Sequence, residues 1–302
     1  MTTIWFLLIL LCLLMYVVLD GYDLGIGVAT LLERDAGHRH EMLEQVAQAW
    51  DGNETWLVLL GVSLWAGFPA AFGTILPQAY LPMILMLLAL IVRGVSVEMA
   101  SQTHPAARWE TAFGVASLAA ALAQGAAIAT LTGVKGAGFS ALCAATVTCG
   151  YLAIGYAYTK WKASGELRSR AGRRGTVSAV LASVLATTCL VAAGRADLHD
   201  PARAVAFAGL LLFATAGVVI ALASLRPAAT YDGVAMAGLV TAVVALTVAV
   251  VVARNPVLAL SVAPRNTMAF LAVGIGLNVP LVLFYNWFAH HTFRRHRRNR
   301  LE

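Results

Sequence analysis

Nine stretches of roughly 20 mostly apolar residues, each long enough to cross a bilayer, account for most of the chain: about 4–30, 54–74, 79–98, 111–132, 138–160, 175–193, 203–225, 233–253 and 267–291. Chains built this way have few choices, because a backbone segment in hydrocarbon must satisfy its own hydrogen bonds, which a helix does. Composition agrees. Hydrophobic residues make up 60% of the 302 residues and charged ones 12%, against about 25% charged in a typical soluble domain. Mean hydropathy is +0.78. The expected fold is an all-α polytopic membrane protein, a single transmembrane domain over 1–302. Eight of its nine spans would form two four-helix bundles, with one peripheral helix. The second and third spans, separated by "ILPQ", read as a tight hairpin broken at Pro77.

Orientation follows from Lys and Arg, which favour the cytoplasmic side. With nine spans and a cytoplasmic C-terminus, sixteen of the 21 basic residues fall inside, six of them in the 160–174 loop and five in the tail "FRRHRRNRLE". The N-terminus is therefore expected outside. That tail reads as an anchor against anionic lipid and not as a nucleic-acid site. Trp5, Trp109, Trp161 and Trp287 stand near span ends, as interfacial side chains do. No basic residue precedes Arg34 and no small-residue cleavage site follows the first apolar run, so a removable signal peptide is not expected.

Three polar stretches interrupt this pattern. "LDGYDLGIG" puts Asp20 and Asp23 in the first span, on one helical face with Tyr16 and Gly27. A carboxylate at membrane depth costs about 2.5–3.5 kcal/mol on insertion scales and must face protein or water. Gly21, Gly25 and Gly27 allow a neighbouring backbone to approach closely. "QAWDGNETWL" opens the second span. There Asp51 or Asn53 is a candidate N-cap with Glu54 reaching back, but a cap leaves Trp50 and Trp56 unexplained. "LIVRGVSVEMA" closes the third span with Arg93 and Glu98. Arg93 either snorkels to the interface or is the counter-ion of Asp20, Asp23 or Asp51. All three stretches fall on the inner side, where ionisable groups can form a proton half-channel.

The negatives narrow the chemistry. All seven histidines lie in loops or at span ends, with His290 and His291 deepest, so no buried pair of haem ligands is expected. The four cysteines form no CxxC pair and read as small hydrophobes. Phosphate-binding, nucleotide and metal-spacing motifs are missing. Redox chemistry must then belong to a partner.

In their order, "LDGYDLGIG", "WDGNETWL" and "RGVSVE", with the last span "NTMAFLAVGIGLNVPLVLFYNWF", resemble subunit II of cytochrome bd-type quinol oxidases, including the cyanide-insensitive branch. The resemblance implies a non-haem subunit of a bacterial inner-membrane, electrogenic quinol:oxygen oxidoreductase. It implies a haem-bearing subunit I, with b-type and in some members d-type haem, that oxidises quinol and reduces dioxygen to water. It implies a surrounding of membrane lipid and room for a small accessory subunit, with no cofactor, metal or catalytic residue in this chain. By motif match, Asp51 takes the place of the family's proton-path aspartate and Glu98 that of its acidic residue after the arginine element. Asp20 and Asp23 complete the expected path, Arg93 balances its charge, and Trp50, Asn53, Glu54, Trp56, Gly21 and Gly25 support it. The connections between the fifth and ninth spans are short for the family, so a bound quinone is not carried over. Two other readings are a small secondary transporter, disfavoured because the charges gather in the first third of the chain and not in repeated halves, and a scaffold subunit with no proton role.

Overall fold

The computed structural model describes residues 2–103, 106–193, 201–225, 238–239, 242 and 263–298, and among them every regular element is helical. The first span is one long helix in three parts: α1 (Thr2–Met15), a π-helical turn (Tyr16–Asp20) and α2 (Gly21–Leu32). There follow α3 (Ala36–Val46), α4 (Trp50–Gly67), α5 (Pro69–Gln78), α6 (Tyr80–Gln102), α7 (Ala107–Thr132), α8 (Ala137–Lys162), α9 (Gly165–Ala192), α10 (Pro201–Leu225) and α11 (Arg265–Arg298). Among the described residues, six helical segments are long and apolar enough to span a membrane: Ile4–Leu32, Tyr80–Gln102, Ala107–Thr132, Ala137–Lys162, Gly165–Ala192 and Asn266–Tyr285. The expected span at 233–253 lies almost wholly outside the described residues.

Three expectations change. The segment 165–174, read as part of a basic loop, is the start of α9, which leaves only Ala163 and Ser164 between α8 and α9. Residues 36–46, read as loop, form α3, which Asp35 caps by accepting from the His38 backbone amide at 2.8 Å. Both segments are charged helices, and hydropathy does not distinguish those from loops. The hairpin between α4 and α6 is not broken at Pro77, which lies inside α5. The chain leaves helical geometry twice, at Ala79 (φ −104°, ψ 15°), directly after the expected "ILPQ", and at Phe68 (φ −133°, ψ 64°), where Pro69 drives the residue before it out of the helical region while suiting the first turn of the next helix.

The π turn divides the first helix between two neighbourhoods. A π turn adds a residue to the helical repeat and so rotates the following face. Before it, Trp5 and Ile9 pack with Phe68, Met268, Leu271 and Ile275. Beyond it, Tyr22, Leu24 and Ile26 join the main core with Phe113, Ala120, Ile154 and Ala157. α2 and α8 cross backbone to backbone. A β-carbon on Gly25 would fall on the carbonyl oxygen of Tyr151, and one on Gly155 would lie 2.5 Å from the carbonyl carbon of Gly25. Only glycine at both positions permits this approach.

One end of the bundle is tied by charge. Glu33, whose side chain is 1% exposed, follows directly on α2 and meets two arginines of α9: Arg170 Nη1 at 3.0 Å and Arg174 Nη1 at 2.8 Å. It also accepts from the backbone amides of Arg34 at 2.9 Å and Asp35 at 3.2 Å. Burial pushes the Glu33 carboxyl up, but the amides of Asp35 and Arg34 and the charges of Arg174 and Arg170 outweigh it and hold it below its ordinary value. At the same end Glu110 of α7 meets Arg39 of α3 at 3.4 Å. The buried ammonium of Lys160, near the end of α8, donates to the carbonyl of Ser224 in the last turn of α10 at 2.7 Å, where a cation also suits the helix dipole.

Candidate functional site

Arg93 is the centre of the site. Its position on α6 is wholly buried, and a guanidinium there must be paired with acceptors. Nη1 donates to Asp20 Oδ1 at 2.5 Å and Nη2 to Glu54 Oε2 at 2.9 Å. Asp20 is as deeply buried as Arg93, while the Glu54 side chain is 25% exposed. One guanidinium therefore joins an interior carboxylate to one that reaches the surface. Of the two readings of Arg93, the counter-ion describes its geometry and the snorkel does not.

Asp23, also fully buried, lies one turn beyond Asp20. Its Oδ2 accepts from Asn53 Nδ2 at 2.9 Å, and the same amide donates to the Tyr22 hydroxyl at 2.6 Å. Tyr22 stacks face to face on Tyr158 of α8, with centroids 4.2 Å apart. Lys162 stands over the Tyr158 ring at 5.4 Å and over Trp161 at 5.2 Å. Three acids, Asp20, Asp23 and Glu54, thus gather near one arginine, which pairs with Asp20 and Glu54. Around them Asp20 Oδ2, Asp23 Oδ1, Asn53 Oδ1 and Arg93 Nε are buried without a protein hydrogen-bond partner.

The start of α4 differs from the cap expected there. Its N-cap is Ala49, with no side-chain hydrogen bond. Asn53 and Glu54 spend their polar atoms on Asp23 and Arg93 instead. Long-range partners in the interior outcompete the local amides. Trp50 lies over Gly94, where a β-carbon would be 2.9 Å from the indole. Trp56 is fully buried with Cys12, Tyr16 and Val282. Gly21 lies beneath the Tyr151 ring.

The structure does not bring Asp51 and Glu98 into the buried group. Asp51 is exposed on the first turn of α4, one turn before Glu54. Glu98 is exposed near the end of α6 and accepts from Gln102 Nε2 at 2.8 Å. Sequence reasoning missed Gln124 and Tyr151, which extend the polar interior. Gln124 Nε2 donates to the Tyr16 hydroxyl at 2.9 Å, and the Tyr151 hydroxyl donates to Gln124 Oε1 at 2.5 Å. A signal existed: Gln124 is the only amide side chain in α7. The side chains gathered here are carboxylates, amides and phenols around a guanidinium. Among the described residues, no three His, Cys, Asp or Glu side chains are placed to hold a metal ion.

The model of the family described as cytochrome bd terminal oxidase subunit II matches residues 1–293. The chain belongs to that family. Among curated relatives, subunit 2 of the cytochrome bd-I ubiquinol oxidase of Escherichia coli K12 is 36% identical over 107 residues, 35% of this chain and 28% of the relative. Subunit 2 of the cytochrome bd ubiquinol oxidase of Bacillus subtilis 168 is 35% identical over 99 residues, 32% of this chain and 28% of the relative. The aligned part thus spans little more than a quarter of these relatives' length. A chain in the solved bd oxidase of Geobacillus thermodenitrificans superposes with a TM-score of 0.79, covering 97% of this chain and 98% of that one at 15% identity. At that identity the likeness concerns the fold, and it extends over nearly the whole of both chains.

Proposed function

We propose that this subunit II chain is the non-haem partner in a bacterial inner-membrane quinol:oxygen oxidoreductase and that it carries protons from the cytoplasm toward the site where dioxygen is reduced to water. The observation that carries the reading is the ion pair that joins buried Asp20, through Arg93, to the surface-reaching Glu54. In this arrangement the haem, b-type or d-type, belongs to subunit I, where quinol is oxidised. This chain binds no cofactor, and lipid and a small accessory subunit surround the pair. The full fold is one domain of nine spans, two four-helix groups and a peripheral helix, with the N-terminus periplasmic. The C-terminus, and the end tied by Glu33, Arg170 and Arg174, are cytoplasmic.

Three carboxyls around one guanidinium would leave two uncompensated negative charges if all were ionised, a state that burial opposes strongly. The group therefore carries a proton that it can exchange. Asp51 admits protons at the mouth, Glu54 passes them inward one turn further on, and Asp23 holds them beside the Asp20–Arg93 pair. The four buried polar atoms without protein partners are positioned to bond water, which a proton needs where side chains do not touch. Glu98 adds negative charge at the same end and favours entry.

The test uses the purified complex with its haem subunit. Asp51→Asn preserves shape but cannot titrate, so quinol-driven oxygen consumption should fall about tenfold, some 1.4 kcal/mol of barrier, with the haem spectrum intact. A variant that assembles and turns over like the wild type from about pH 6 to 8, a range centred near the operating pH, removes Asp51 from the route.

A further inference from the structure

The route just proposed makes no use of the polar chain on the other side of the first helix. Gln124, midway along α7, is buried and engaged at both ends of its amide, with Tyr16 on one side and Tyr151 on the other. Both tyrosines are buried too, Tyr16 stands one π-helical turn before Asp20, and Asp20 Oδ2 has no hydrogen-bond partner among the described residues. Three side chains from three helices are thus hydrogen-bonded in a line that leads toward the acid that Arg93 pairs.

We infer that Gln124 is a positioning residue that gives this line one direction, Tyr151 to Gln124 to Tyr16 to Asp20, so that Asp20 stays the anionic partner of Arg93 and proton exchange is left to Asp23 and Glu54. The inference rests on the proton-uptake reading above. Each tyrosine has one proton to donate. The strongest acceptor near Tyr16 is the Asp20 carboxylate, and hydrogen bonds to an ionised acceptor are roughly twice as strong as neutral ones. Tyr16 therefore spends its proton there, and its oxygen must accept from an N–H. Only the Gln124 NH2 group supplies one, which turns Gln124 Oε1 toward Tyr151 and makes Tyr151 the donor. The amide's orientation is fixed by the charge at the far end of the line, and donors aligned toward one anion strengthen one another. The same amide ends proton traffic in this direction. A carboxamide neither binds nor releases a proton near neutral pH, so the line holds Asp20 without draining it toward α8.

A merely space-filling Gln124 would be replaced well by an apolar side chain of similar size. The experiment compares wild type, Gln124→Leu and Tyr151→Phe in the purified complex with its haem subunit. It measures two things: the pH profile of quinol-driven oxygen consumption, and an infrared titration of the carboxyl C=O bands that needs no turnover. Without the Gln124 amide, the acid limb of the profile and the carboxyl titration should move to higher pH by about one unit, a tenfold change in proton affinity. Tyr151→Phe should move both in the same direction by less. An assembled Gln124→Leu complex with both measurements unchanged overturns the inference. If Gln124→Leu fails to assemble, Tyr151→Phe decides alone, since it removes one hydroxyl that bonds Gln124 and makes no hydrogen bond to Asp20. Asp23→Asn separates the two levels: wild-type turnover in that variant defeats the proton-uptake reading, while the infrared bands still decide what Gln124 does.

Discussion

Two of the arginine–carboxylate groups among the described residues are opposites. At the end of the bundle, one acid, Glu33, faces two arginines and two backbone amides, so both of its oxygens are engaged. In the interior, one arginine serves Asp20 and Glu54, with Asp23 close by, and several buried polar atoms lack a protein partner. The first group is fully satisfied and has nothing to exchange. The second is acid-rich and incompletely bonded. A buried polar network with every member paired rigidifies a fold, whereas one with spare valences is costly and persists where a function needs it. On the proposed reading the first group is a latch and the second a relay.

The sharpest way to break this distinction is to remove the central cation. Arg93→Leu leaves interior carboxylates without their counter-charge, a loss of about 3–5 kcal/mol for a buried pair. No assembled, haem-containing complex should be recovered, and normal yield would mean that Asp20 is not held as an ion. A smaller effect is expected at the latch. Glu33→Gln forfeits charge-assisted bonds worth roughly 1.5–3 kcal/mol, visible as a lower unfolding temperature with turnover per haem unchanged. The pH dependence has a definite sign. Glu33 is held below its ordinary value in the fold, so its stabilisation is complete above the unfolded carboxyl pKa of about 4.3. It is lost as pH falls through the lower folded value. Acid scans should show wild type losing thermal stability below about pH 4–5, with Glu33→Gln losing less.

The interior acids were legible in the letters because a carboxylate in an apolar run has few bland explanations. Arg93 was legible as a candidate for the same reason. Asn53 and Glu54 were read as local caps, since capping depends on neighbours in sequence, while their real partners lie 30 and 39 positions away. Gln124 and Tyr151 meet Tyr16 only through the crossing of α2, α7 and α8, which hydropathy does not encode. The π turn is likewise silent: "YVVLD" has the composition of any apolar helix, and its distortion arises from the two different neighbourhoods on either side of it. The apolar spans were the easiest part, and the charged helices α3 and the first turns of α9 the hardest.

The account's central claim is that the interior group exchanges protons through Glu54, the one member of the Arg93 ion pairs that reaches the surface. Glu54→Gln keeps the size of the side chain and a hydrogen-bonding oxygen for Arg93 while abolishing titration. The decisive measurement is quinol-driven oxygen consumption per haem in the purified complex, taken from about pH 6 to 8, the range in which such a relay group must work. The account predicts a fall of at least about tenfold, or some 1.4 kcal/mol, with the haem spectrum and subunit stoichiometry intact. Wild-type turnover across that range in a fully assembled complex would contradict it and leave Arg93, Asp20 and Glu54 as a structural tie.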